Sequence, residues 1–248
     1  MSYAILFDST KCIGCRSCES ACAEKWGNPY NEQIGAQEKL SARKLTTIQT
    51  KGEKFMRKLC MHCLEPACAS ACPVSALYKT AEGPVEYDAD KCIGCRYCMT
   101  ACAFVVPSYE WDKRLPKVKK CNMCRERQLA GKPTACTEAC PTEATITGDR
   151  DKMIAEARKR VAENPGQYYP KVFGVEEVGG TSVIMLAAVP FEQLGLPANL
   201  PKEALPAFTW RALSLVPSIA TVGSVLLGGV YWITHRREEV MRAEGRKR

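Results

Sequence analysis

The chain has 248 residues, 46% of them hydrophobic and 25% charged, so it can bury a core and is neither disordered nor collagen-like. Lysine and arginine outnumber aspartate and glutamate by 35 to 27, a net charge of +8 that is too small and too dispersed to point to nucleic acid. Sixteen cysteines stand against two histidines, His62 and His235, which excludes a multi-histidine metal or haem site built by this chain alone.

Tyr3–Phe7 is a short apolar run that predicts a strand. It does not read as a secretory signal, because it has no basic n-region and a cysteine follows at position 12. The first cysteine group is Cys12, Cys15, Cys18 and Cys22. Residues 23–59 read as a long insertion, a surface excursion around Lys25–Lys54. The second group is Cys60, Cys63, Cys68 and Cys72. Val85–Tyr87 predicts another strand, and the third group follows as Cys92, Cys95, Cys98 and Cys102. The fourth is Cys121, Cys124, Cys136 and Cys140. Short helices are expected after the fourth cysteine of each group. Asp151–Glu163 reads as an amphipathic helix, with Ile154, Ala157 and Val161 on one face and Asn164-Pro165-Gly166 as its stop. Ser182–Val189 reads as a buried strand, which closes a cysteine-rich domain over residues 1–189.

Residues 190–209 carry Pro190, Pro197, Pro201 and Pro206 and read as a stiff linker. The uncharged run 212–234 follows. As a helix rising about 1.5 Å per residue it spans roughly 34 Å, enough for one bilayer crossing. Trp210 at one end, with Tyr231 and Trp232 at the other, suit the two interfaces, so the span is placed at 210–234. Pro217 falls near its start, where a kink costs least. Ala220, Ser224 and Gly228 form a small-residue stripe that lets another membrane helix approach. The tail 235–248 holds Arg236, Arg237, Arg242, Arg246, Lys247 and Arg248, against Lys202 and Arg211 before the span. That bias predicts a single-pass protein with a cytoplasmic C-terminus and the cysteine-rich domain on the periplasmic side of an inner membrane.

The groups repeat. Residues 11–23 (KCIGCRSCESACA) and 91–103 (KCIGCRYCMTACA) match at ten of thirteen positions, and ACASACPVSAL (67–77) echoes ACTEACPTEAT (135–145). The order is A-B-A-B, as duplication of one pair of groups would leave it. No cysteine is left over.

Groups one and three are C-x2-C-x2-C-x3-C. Three thiolates at three-residue steps wrap one compact centre, and the fourth, expected at the start of a helix, points to another. That is the two-cluster ferredoxin pattern. Gly14 and Gly94 allow the backbone to approach inorganic sulfide. Zinc, the main rival, prefers tetrahedral sites built from separated C-x2-C pairs and has no use for a displaced fourth ligand. Sixteen thiolates suffice for four [4Fe-4S] clusters. Spacing leaves two pairings open: groups two with three and one with four, or one with two and three with four. No dinucleotide fingerprint, P-loop or Ser-His-Asp set is present, so the chain reads as a carrier of electrons, not an enzyme on its own. Lys117, Lys119, Lys120, Arg125 and Arg127 either raise a cluster potential or form a solvated face. His62 reads as a neighbour of the ligands, not as one of them.

The spacings 2-2-3, 2-4-3, 2-2-3 and 2-11-3, followed by a C-terminal span, resemble the four-cluster subunits of membrane-bound respiratory oxidoreductases. The phrases KCIGCRYC and CMHCLEPAC, and Val178-Gly179-Gly180-Thr181 ahead of an apolar strand, are similar to the beta subunit of formate dehydrogenase-N and the iron–sulfur subunit of quinone-linked nickel–iron hydrogenases. The resemblance implies an α+β fold of two pseudo-symmetric bacterial-ferredoxin-like modules plus one transmembrane helix. It implies the first pairing. Cluster 1 would take Cys12, Cys15, Cys18 and Cys140, and cluster 2 would take Cys22, Cys121, Cys124 and Cys136. Cluster 3 would take Cys60, Cys63, Cys68 and Cys102, and cluster 4 would take Cys72, Cys92, Cys95 and Cys98. No tryptophan replaces a ligand, unlike in relatives that serve nitrate reductase. The implied partners are a catalytic subunit, either a molybdenum or tungsten pterin formate dehydrogenase or the subunits of a [NiFe] hydrogenase, and an integral membrane subunit that handles quinone. Cluster 1 would face the catalytic side. Lack of a twin-arginine signal implies export with a signal-bearing partner and favours the formate dehydrogenase type. Val189–Pro197 (VPFEQLGLP) is closer to the hydrogenase type.

Overall fold

The computed structural model describes residues 2–197 and 199–245, and it divides into two units, Met1–Pro206 and Ala207–Arg248. The first unit opens with β1 (Tyr3–Asp8), α1 (Ser17–Lys25) and α2 (Glu32–Gly35). The hairpin β2 (Thr47–Lys51) and β3 (Lys54–Lys58) comes next, followed by α3 (Ala67–Ser70), β4 (Leu77–Lys79) and β5 (Val85–Tyr87). Then follow α4 (Tyr97–Ala101), β6 (Ser108–Tyr109), β7 (Val118–Lys119), α5 (Arg125–Leu129), α6 (Ala135–Glu138), β8 (Thr145–Asp149) and α7 (Arg150–Glu163). A 3-10 turn at Glu177–Gly179 leads into β9 (Val183–Leu186). The second unit contains most of α8 (Leu205–Leu213) and all of α9 (Val216–Ala243).

One three-stranded sheet, in the order β8-β1-β9, organises the domain. Strand β1 runs antiparallel to β8, with Ile5 opposite Thr147, and parallel to β9, with Ile5 opposite Val183. A central strand covered on both faces reads as a continuous apolar run, and β1 (YAILFD) does so. Its alternation divides two cores. Ile5 and Phe7 face the main core with Met56, Met123, Phe173 and Met185, whereas Leu6 faces Ile154 and Ala157 of α7. Helix α7 begins one residue earlier than the periodicity predicts. Asp149 caps it by accepting from the backbone N–H of Asp151 at 3.2 Å.

Two expectations change. Residues 23–59 are not a surface excursion throughout: Leu45, Ile48, Met56, Arg57 and Leu59 are buried. The insertion is tied to the first cysteine loop. Buried Glu19 of α1 accepts from the N–H of Ile48 at 2.5 Å and pairs with Lys44 at 2.7 Å, and Arg16 donates to the Ile48 carbonyl at 2.9 Å. The proline-rich stretch is not an extended spacer either. Phe191 and Leu194 are buried, and Phe191 packs against Phe173 with the rings tilted by 41° and their centroids 5.0 Å apart. Prolines remove backbone donors but leave the apolar side chains between them free to bury.

In the second unit, Pro217 occupies the first turn of α9, where its missing N–H costs no hydrogen bond. The helices over Leu205–Ala243 reach a mean hydropathy of 1.8 over their most apolar eighteen residues, and none of that window is buried within the chain. This segment is apolar enough to cross a membrane. Helix α9 runs past the uncharged stretch into the charged tail, where His235 stacks on Tyr231.

Candidate iron–sulfur centres

In every cysteine group the residue just before the second cysteine lies in the left-handed region. These are Gly14 (φ 73°), His62 (φ 49°), Gly94 (φ 73°) and Met123 (φ 57°). Left-handed residues let successive N–H groups converge into an anion-binding concavity. In three groups another stands three residues after the fourth cysteine, at Ser75, Val105 and Glu143. Donors accordingly meet thiols: the N–H of Met123 reaches Cys121 Sγ and that of Ala76 reaches Cys72 Sγ, both at 3.2 Å. Gly14 meets two demands at once. Its φ is positive, and a Cβ there would lie 2.6 Å from Phe55 Cζ on β3. Gly14→Ala is expected to lose about 1–2 kcal/mol to the conformation and about 1–3 kcal/mol more to the ring. Gly27→Ala, with φ +61° and nothing within 4 Å, should lose only the first. Unfolding of the full chain under anaerobic conditions measures both, and equal losses would show that Phe55 yields.

The helices do not follow the fourth cysteines. Helices α1, α3, α4 and α6 carry the third cysteines Cys18, Cys68, Cys98 and Cys136, and all but α1 end before the fourth. The third and fourth cysteines are four residues apart, one helical turn, and that turn sends the two thiols to different neighbours. Helix α1 packs on α6, and α3 packs on α4, so groups one and four meet, and groups two and three meet.

The sixteen thiols fall into four sets of electrostatic neighbours. Cys12 faces Cys15 and Cys140, and Cys18 faces Cys12. Cys121 faces Cys22, Cys124 and Cys136. Cys63 faces Cys60, Cys68 and Cys102. Cys98 faces Cys92, Cys95 and Cys72, and these four line one cavity with Ile93, Leu77 and Val118. Couplings between neighbouring sets stand beside those within them. Cys18 neighbours Cys136, Cys121 neighbours Cys60, and Cys68 neighbours Cys98. The sets therefore form a row. Its end sets hold the two exposed cysteines of the sixteen, Cys15 and Cys95.

Burial dominates the chemistry of the interior thiols. It pushes Cys18, Cys22 and Cys68 up to about 12 and Cys98 up to about 11, so without a cation they stay protonated at neutral pH. Cys72 and Cys140 are held below the usual thiol value: burial raises them, but the backbone N–H groups that follow them outweigh it. Among the described residues no three ligating side chains converge closely enough to share one metal ion. A tetrahedral zinc site needs its thiolates within about 4 Å of one another, given a Zn–S bond near 2.3 Å. A polynuclear cluster is wider. His62 Nε2 is buried without a partner, and the buried hydroxyl of Tyr87 turns to the Cys92 thiol. His62 Nδ1 accepts from the N–H of Val85 at 2.9 Å, so its proton sits on Nε2. Buried donors beside sets of thiols fit an acceptor-rich inorganic sulfide core.

A family model for a 4Fe-4S dicluster domain matches residues 52–150. A protein of Nitratidesulfovibrio vulgaris is 38% identical across 98% of this chain and 70% of its own length. The hydrogenase-2 operon protein HybA of Escherichia coli O157:H7 is 38% identical across 79% of this chain and 73% of its own length. The formate dehydrogenase-O iron-sulfur subunit of Escherichia coli K12 is 35% identical across 88% and 79%. The chain belongs to the ferredoxin-type iron–sulfur subunits of respiratory oxidoreductases.

As an iron–sulfur subunit it transfers electrons within an oxidoreductase complex and is not a catalyst on its own. Of the basic residues that sequence alone singles out, Lys117, Arg125 and Arg127 pair with Asp90, Glu82 and Glu138 near the surface. Of those five only Lys120 is buried, and two further cations that the motifs do not mark, half-buried Lys79 and buried Arg57, join it. Lys79 donates to the carbonyls of His62 (3.1 Å) and Cys63 (2.8 Å), and burial lowers it to about 8. Lys120 donates to those of Val85 and Cys121. Arg57 lies among the thiols themselves. No sequence signal marks Lys79 or Arg57, because neither is adjacent to a cysteine motif.

Proposed function

We propose that the chain holds four [4Fe-4S] clusters in a row and relays electrons between a catalytic subunit of the formate dehydrogenase type and a quinone-reactive membrane subunit. When bound, each cluster exchanges one electron at a time. The sixteen cysteines hold them as the first pairing assigns, in two ferredoxin-like modules, groups one with four and two with three. The observation that carries this reading is the linear succession of thiol sets, with an exposed cysteine in each end set. A row buried in the middle and open at both ends suits a relay between two partners. The end at Cys15 meets the catalytic subunit, and the end at Cys95 leads toward the membrane.

Support for the formate dehydrogenase type is coverage. The formate dehydrogenase iron-sulfur subunit of Haemophilus influenzae aligns with 93% of this chain. The second reading, a [NiFe] hydrogenase complex, rests on the higher identity to HybA and on the Val189–Pro197 segment. In either complex the helices of the second unit anchor the chain by one crossing, with the C-terminus cytoplasmic and the clusters on the periplasmic side. Part of the basic bias behind that orientation, Arg246, Lys247 and Arg248, lies outside the described residues.

Metal analysis of the native complex, extracted in mild detergent through this chain, tests the proposal. About sixteen irons per chain are expected, with molybdenum or tungsten from the catalytic subunit. Nickel without either would assign the chain to a hydrogenase. A colourless zinc protein from an anaerobic preparation would refute the relay altogether.

A further inference from the structure

The hairpin of the insertion brings a cation into the row. Arg57, on β3, is 1% exposed. Its Nε donates to Thr46 Oγ1 at 3.0 Å and its Nη1 to Thr145 Oγ1 at 2.8 Å. Both acceptors are neutral, and they come from distant parts of the chain, the approach to β2 and the start of β8. They fix the guanidinium without neutralising it. The titratable groups that act on it most strongly are thiols, Cys136, Cys18 and Cys121, with Cys136 within hydrogen-bonding reach. Cys12 and Cys22 feel the same charge. These five belong to the first two sets of the row.

A buried charge without a counter-charge costs several kcal/mol. Two threonine hydroxyls do not offset that, whereas iron-bound thiolates, as members of negatively charged clusters, do. A fixed positive charge stabilises the more negative, reduced state of a nearby cluster and so raises its potential. The last set offers a contrast: the arginine beside it, Arg96, lines the cavity of Cys72, Cys92, Cys95 and Cys98 but is exposed to solvent.

We propose that Arg57 is the buried counter-cation shared by the clusters at Cys12/Cys15/Cys18/Cys140 and Cys22/Cys121/Cys124/Cys136, and that it raises the reduction potential of both. This rests on the four-cluster reading above. The test is a redox titration of the complex, followed by electron paramagnetic resonance, on the unmutated chain, Arg57→Met and Arg57→Lys. With full iron in Arg57→Met, two of the four midpoint potentials should fall by at least a tenfold change in electron affinity, about 59 mV for one electron. The other two stay in place, and Arg57→Lys falls by less. Four unmoved potentials in a fully loaded Arg57→Met, or a shift in one cluster alone, overturn the proposal. If Arg57→Met does not load, Arg57→Lys decides: full iron there shows that the charge is what the site requires, and failure of both variants shows that the shape is, which refutes it. Fewer than sixteen irons in the unmutated chain would dismiss the four-cluster reading and this proposal with it.

Discussion

Cys121→Ser is expected to reduce quinone reduction by the complex to background while leaving dye reduction at the catalytic subunit intact. Half-buried Cys121 couples to Cys22, to Cys60 of the adjoining set, and to Cys124 and Cys136. It stands where two sets of the row meet. A serine oxygen is a hard ligand and replaces a soft thiolate poorly. The set should lose its cluster, and iron should fall by about four per chain. In a serial relay one missing centre interrupts everything beyond it. Dye takes electrons directly from the catalytic subunit and does not need the row. Iron content, dye assay and quinone assay on the same preparation separate the outcomes. Unchanged quinone reduction with the iron lost would mean that electrons bypass this set and that the row is not the route.

Removal of residues 207–245 should release the complex from this anchor and abolish its coupling to quinone. The stretch 212–234 carries ten leucines, isoleucines and valines and no charge. At about 0.3–0.6 kcal/mol each in a membrane-spanning helix, they favour insertion by roughly 3–6 kcal/mol. None of that window is buried within the chain. The truncated chain should keep its iron and support dye reduction, and it should sediment less with membranes. Retention in the membrane fraction would assign the anchoring to a partner. Loss of iron would mean that the helix supports the cluster domain, against the division into two units.

The sequence by itself determined the local features. Cysteine spacing identifies the chemistry because three thiolates on one short loop meet one centre wherever that loop is placed. The apolar run at 3–8, the amphipathic period of α7 and the uncharged stretch near the C-terminus are likewise legible, since each reports a face that its own residues must bury or expose. Gly14 and Gly94 are legible as glycines, but not the Phe55 ring and Tyr109 hydroxyl that crowd them.

What only the tertiary structure decided is everything that joins distant segments. Whether Cys22 keeps company with group two or group four depends on α1 packing against α6, more than a hundred residues away, and no local spacing encodes that choice. The order of the thiol sets follows from the same packing. The helices carry the third cysteines instead of following the fourth, because a four-residue step is one helical turn and closing that turn aims two thiols apart. The insertion looks like a charged excursion, yet it buries Ile48, Met56 and Arg57. Its charges are tolerated inside because each meets a partner from elsewhere in the chain. Glu19 meets Lys44, and Arg57 meets the two threonines and the thiols. Pairwise compensation of buried charge is a property of folded neighbours, and composition carries no trace of it.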